Sequence, residues 1–115
     1  MSTSIGKMRC IVKRPDELYG HVTNITPSLE NLQKIVQGYI EAIPLRDDVV
    51  ILVNEYGKIQ GLDFNIPHPF TNKDFLVGTL IVLGVDGEEF SDLPARFEMS
   101  TWKEILKKLR KGESL

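Results

Sequence analysis

Residues 29–54 read LENLQKIVQGYIEAIPLRDDVVILVN, and two hydrophobic periods meet inside that run. Leu29, Leu32, Ile35 and Val36 recur at the spacing of one helical face, so a helix over Pro27–Gln37 is expected to bury all four. Pro27 suits a first helical position, because its missing N–H would be unpaired there anyway. Thr26 or Ser28 can cap this helix, and Glu30 complements the positive end of its dipole. Gly38 fits the left-handed residue just past the end. Beyond it the period falls to two: Tyr39, Glu41 and Ile43 alternate with Ile40 and Ala42, until Pro44 and Arg46-Asp47-Asp48 make a turn. Val49–Val53 is apolar at every position, the mark of a strand covered on both faces. Tyr39–Leu45 and Val49–Asn54 therefore read as an antiparallel hairpin, with its second strand expected at the centre of the sheet.

Outward from this core, Met8–Lys13 is a strand stopped by Pro15, and Tyr19–Ile25 alternates as an exposed edge strand. Asn54–Lys58 has tight-turn chemistry, Asn54 bonding back to the backbone and Gly57 supplying a positive φ. Ile59–Leu62 is a short strand or a helical turn. Asp63–Asp74, with Pro67-His68-Pro69, reads as a long ordered loop, a length that hints at purpose in a small domain. Phe75–Val85 is the last strong strand, with Gly78 a bulge or a point of close backbone approach. Asp86-Gly87 is a turn, and Ser91 is placed to cap a short helical segment. A closing helix at about 100–111 opens on the capping-box pair Thr101 and Glu104 and carries the stripe Trp102, Ile105, Leu106 and Leu109. The expected fold is α+β: a mainly antiparallel sheet of four or five strands, one helix packed on a face, and a C-terminal amphipathic helix. Residues 1–7 form a flexible lead-in, and residues 8–112 one domain.

Composition removes several functions. With 14 basic against 16 acidic side chains in 115 residues, the formal charge of −2 is too small for nucleic-acid binding by overall electrostatics or for a polyanion mimic. Cys10 is the only cysteine, so no intrachain disulfide forms, and its apolar neighbours suggest a buried, inert thiol. No signal-peptide core or membrane-length apolar run occurs, so a cytoplasmic protein without membrane attachment is expected.

Catalytic constellations are equally sparse. His21 and His68 lie in no nucleophile motif, and Gly78, Gly84 and Gly87 are not gathered into a phosphate loop. The acidic group Asp86, Glu88, Glu89 and Asp92 reads as a solvated turn, since Leu83-Gly84-Val85 stands where a calcium loop needs oxygen ligands. No metal and no cofactor are expected. The most suggestive polar set is Asn54, Glu55, Tyr56, Asn65 and His68, a candidate binding turn and loop that would converge if the loop folds back over the strand end. A candidate basic surface follows on the closing helix: Lys103, Lys107, Lys108, Arg110 and Lys111. Cations near a helix C-terminus also serve its dipole, which is the plainer reading.

Leu32–Glu41, then Asn54-Glu55-Tyr56-Gly57-Lys58 with Gly61-Leu62 and Asn65, then Val77-Gly78-Thr79 ahead of an apolar strand, together resemble the domain of unknown function family 3846, short bacterial and phage proteins. The resemblance runs from about Met8 to Leu93 and places residues 100–111 outside the shared core. The chain departs from the pattern at Gln37, where a second glycine is usual, and near Asp63, where a proline is usual. The resemblance implies an α+β domain of phage, prophage and plasmid genes, with no assigned activity and no catalytic residues to carry over.

The expected function is a small non-catalytic accessory protein of a mobile element or prophage that binds a host or phage macromolecule, a protein ahead of nucleic acid. Two alternatives stand beside it: a small-ligand-binding or hydrolytic domain using the 54–68 turn and loop, and a nucleic-acid-binding protein using the basic helix. A homodimer through an unpaired edge strand or an exposed stripe on the last helix is left open.

Overall fold

Val49–Asn54 is a strand buried at all six positions, as a doubly covered strand must be. The computed structural model describes residues 6–71 and 73–115; most of the expected lead-in, residues 1–5, lies outside them. The elements follow in the order β1 (Met8–Lys13), β2 (His21–Ile25), α1 (Leu29–Val36), β3 (Ile40–Arg46), β4 (Val49–Asn54), β5 (Phe64–Pro67), β6 (Phe75–Val77), β7 (Leu80–Asp86), β8 (Glu89–Ser91) and α2 (Met99–Arg110). The fold is α+β and its sheets are antiparallel. The large sheet runs β2-β1-β7-β4-β3, with short β8 also paired to β7, and β5 and β6 form a separate two-stranded ribbon. β2 is an edge strand, as its alternation suggested.

Alternation along the strands sorts the core into two layers. Ile11, Val49, Ile51, Val53, Leu80 and Val82 face Trp102, Ile105, Leu106 and Leu109 of α2. Cys10, Val50, Leu52, Ile81 and Leu83 face Leu32 and Val36 of α1. All four α2 stripe residues are buried, whereas on α1 Leu29 is 62% exposed and Ile35 only half-buried. Burial pushes the Cys10 thiol up to about 11 against a weaker pull from Arg9, which leaves it protonated and inert.

Several local expectations are corrected. The centre of the sheet is β7, not β4: it pairs with β1 on one side and β4 on the other. An all-apolar run signals coverage on both faces and carries no strand order. The run 75–85 is not one strand, because Gly78 takes φ +75 and the chain leaves β6 there to enter the large sheet as β7. Another backbone does come close, since Gly78 N donates to the Asp63 carbonyl at 2.8 Å. The supposed loop 63–74 contains β5, whose register against β6 shifts between Phe64 and Ile66. Helix α1 starts at Leu29, with Ser28 as its cap accepting from Asn31 N at 3.2 Å, so Pro27 precedes the cap rather than opening the helix.

The left-handed residue after α1 is Gln37 (φ 66), not Gly38. Gly38 is required for space instead: a Cβ there would lie 2.6 Å from Asn54 Nδ2. Similarly Gly57 has no positive φ; that conformation falls on Gly61 (φ 74), while a Cβ on Gly57 would sit 2.7 Å from Val77 Cγ2. Ser91 ends β8 and caps nothing. Helix α2 begins one residue early, with Glu98 at its cap and no side-chain cap bond, so Thr101 and Glu104 form no capping box. Residues 59–62 resolve as a turn in which Leu62 N donates to Gly57 O at 3.0 Å.

Candidate functional site

The end of β4 is fixed by the side chain of Asn54. Its Oδ1 accepts from Tyr56 N at 2.8 Å, and its Nδ2 lies within reach of the Gln37 carbonyl (3.0 Å), the Val36 carbonyl (3.2 Å) and Gln60 Oε1 (3.0 Å). One carboxamide thus ties the C-terminus of α1 to the 55–61 turn and satisfies helix carbonyls that have no partner inside the helix. Gly57, pressed on Val77, seats that turn against the β5–β6 ribbon.

Between the turn, the face of β3 and the ribbon lies a cleft of about 300 Å³. Glu55, Tyr56 and His68 of the sequence-derived set line it together, with Asn54 at its base. Asn65 does not belong to it: buried in the interior, it donates from Nδ2 to the carbonyls of Lys13 (3.0 Å) and Gly78 (2.7 Å). Reading turn and loop as one sequence neighbourhood could not separate these roles. Glu41, Lys58, Ile59, Asp74 and Phe75 also line the cleft and were missed. Glu41 had a signal, since period two puts it on the face of Ile43, and Lys58 and Ile59 share the turn of Glu55 and Tyr56; Asp74 and Phe75 depend on the β5–β6 pairing, which is invisible to local patterning.

The cleft has charged and aromatic walls. Lys58 pairs with Asp74 and sits 4.6 Å over the Phe75 ring, while Asp74 also accepts from Phe75 N at 2.7 Å. The Lys58 hydrogen bond, then that backbone bond, hold the Asp74 carboxyl below the usual carboxylate range. With both side chains about half exposed (49% and 46%), the pair contributes only about 0–1 kcal/mol. His68 Nδ1 accepts from Phe70 N at 3.1 Å, which places the proton of the neutral ring on Nε2. Its hydrogen bond is thus to backbone rather than to an orienting carboxylate. Of the aromatic lining, Tyr56 is met edge-on by Tyr39 at 6.5 Å and Phe75 by Phe64 at 5.8 Å, and Ile59 beside them is 86% exposed. A second, more open groove of about 560 Å³ continues along β3 from Glu41 to Asp47 under His68 and Phe70, sharing Glu41, Ile43 and His68 with the first.

The basic helix is partly engaged. Lys103 and Arg110 lie 5.3 and 5.1 Å over the Tyr19 ring, and Arg110 also donates to the Leu18 carbonyl. Lys107 is 3.4 Å from Glu104, and Lys108 and Lys111 are exposed. Among the described residues no three His, Cys, Asp or Glu side chains are grouped to hold a metal ion, and no helix is long and apolar enough to cross a membrane.

A two-helix α+β domain with an aromatic-rimmed cleft beside its edge strand is the class that fold and site define. The family model described as Domain of unknown function (DUF3846) matches residues 8–107, and the chain belongs to that family. The match extends through most of α2, so residues 100–107 lie inside the shared region, contrary to the boundary expected near Leu93. No curated protein and no solved structure matches the chain.

Proposed function

We propose that this is a small non-catalytic accessory protein that binds a macromolecule, a protein in the first instance, through the cleft beside the 55–61 turn. The observation that carries this reading is exposed apolar surface at the cleft: Tyr56, Ile59 and Phe75 line it, Tyr39 packs on Tyr56 and Phe64 on Phe75, and each of the five is more than 40% exposed. Large apolar side chains grouped in water mark interaction sites, and aromatic residues are enriched there. The setting in a phage, prophage or other mobile element comes with the family resemblance, and action in the cytoplasm is part of the same proposal. Affinity capture from host cells during phage infection tests the reading, comparing the protein with its Tyr56→Ala/Ile59→Ala variant. Partners are expected to be lost with the variant; retention of all of them at equal yield would overturn the cleft as the binding surface.

The second reading is a small-ligand site, favoured by the cleft's volume of about 300 Å³, the low end of ligand pockets. Hydrolysis is less well supported. Asp74, held ionised by Lys58, is an acceptor rather than an acid, and the Nδ1 bond of His68 is to backbone. Nucleic-acid binding through α2 keeps Lys108 and Lys111 as exposed cations with no ion-pair or aromatic contact among the described residues, and salt-sensitive retention on DNA abolished by their replacement would revive it.

A further inference from the structure

We propose that the partner binds as an extended, basic polypeptide segment added to the free edge of β3, its alternate side chains entering the cleft. This deepens, and rests on, the reading of the cleft as the recognition surface.

The backbone supplies the first argument. Glu55 N donates to the Tyr39 carbonyl at 2.8 Å, which makes residues 39 and 55 a hydrogen-bonded pair of the antiparallel ladder. Hydrogen-bonded and non-bonded pairs alternate, so the N–H and C=O groups of Ile40 and Ala42 point away from β4. β3 ends the sheet, and among the described residues nothing pairs with those groups. Pro44 has the same parity, so its missing N–H costs the β3–β4 ladder nothing and closes the edge at that end. A row of free donors and acceptors is a template for strand addition.

The groove supplies the second. The cleft and its open continuation together run along β3 from the Ile59 end to Asp47, with Glu41 and Ile43 on the floor and His68 and Phe70 opposite. An added strand directs every second side chain toward that side of the sheet.

Charge selects the occupant. Glu41, Asp47 and Glu55 line the groove and have no ion-pair partner among the described residues. Of the two groove cations, Lys58 is paired with Asp74 and Arg46 lies 5.2 Å over Phe97. A lysine or arginine in the added strand can lay its aliphatic stem on Ile43 and its charge against Glu41 or Glu55. A second copy of this chain paired edge to edge would instead oppose carboxylates with carboxylates, which disfavours it.

The test uses a short capped peptide alternating lysine and valine, titrated into the protein while amide exchange and chemical shifts are followed by NMR. Saturable binding that slows exchange at Ile40 and Ala42 about tenfold or more is expected. Glu41→Lys, an exposed substitution that leaves the core intact, should weaken binding about fivefold, and an analogue N-methylated at alternate backbone positions should not bind. Equal binding by a glutamate–valine peptide, or unchanged exchange at Ile40 and Ala42, would overturn the proposal. Shifts confined to Tyr56, Ile59 and Phe75 would retain the cleft while removing strand addition. Protection of the same amides that grows with protein concentration alone would assign the edge to a second copy and also overturn it.

Discussion

Lys13 and Asn65 hold each other across the interior: Lys13 Nζ donates to Asn65 Oδ1, and Asn65 Nδ2 donates back to the Lys13 carbonyl at 3.0 Å. The same Nδ2 reaches the Gly78 carbonyl at 2.7 Å, so one amide joins the large sheet, the ribbon and the break between β6 and β7. Lys13 is 1% exposed, and its Nζ donates to Asn65 Oδ1 and to the Arg14 carbonyl. Burial lowers its pKa from 10.5 to about 8, Arg110 adds to the fall, and Glu17 and Asp16 oppose it.

The pH dependence follows. Between about 8 and 10.5 the unfolded chain binds a proton at Lys13 that the folded chain releases, so this group's contribution to stability rises with pH across that window. Below about 8 the cost of the buried cation is present in full. Lys13→Met removes that cost but strands Asn65 Oδ1, opposed effects of about 1–3 kcal/mol each. Its stability at pH 7 should therefore shift modestly, while the alkaline rise expected in urea titrations of the parent protein should disappear. A rise of equal slope in both proteins would refute this account of Lys13.

Gly38→Ala drives a methyl to within 2.6 Å of Asn54 Nδ2 and should cost about 1–3 kcal/mol. In Asn54→Ala the obstruction is gone, so adding Gly38→Ala to that background should cost much less. A thermal-melt double-mutant cycle reads the coupling, and strict additivity would mean that the contact does not matter.

Gln37→Gly should stabilise by about 0.5–1 kcal/mol, because glycine adopts the left-handed conformation without the Cβ penalty that Gln37 bears at φ 66. The family resemblance places glycine at this position as well. A lowered melting temperature would contradict it.

On α1, Leu32→Ala should cost about 2–5 kcal/mol and Leu29→Ala almost nothing, since Leu32 is 1% and Leu29 62% exposed. Ile35→Ala, half-buried, should fall between them. Denaturant midpoints for the three variants give the ranking directly.

Much of this architecture was legible in the chain, and the misses have a pattern. The helix-to-hairpin stretch carried its own evidence, because Leu32 and Val36 recur at helical spacing and Val49–Val53 needs cover on both sides. What stayed hidden depends on partners distant in sequence. β5 looked like loop because Pro67 and Pro69 flank His68, and only pairing with Phe75 and Leu76 makes it a strand. Local patterning assigns Gly38 and Gly57 to positive φ, whereas both are there for room. In the candidate site, Glu55, Tyr56 and His68 do meet, while Asn65 was drawn inside by Lys13, a contact that local spacing cannot reveal.

The central place of β7 has a consequence for how the chain assembles. β1–β2 and β3–β4 are local hairpins, each able to form from a short stretch of sequence, yet they share no edge with each other. Only Leu80–Asp86, late in the chain, clasps one to the other. On a ribosome both hairpins would therefore emerge and wait, their inner edges bare, until the clasp is synthesised. That delay is when the nascent protein is most open to being captured by the wrong strand.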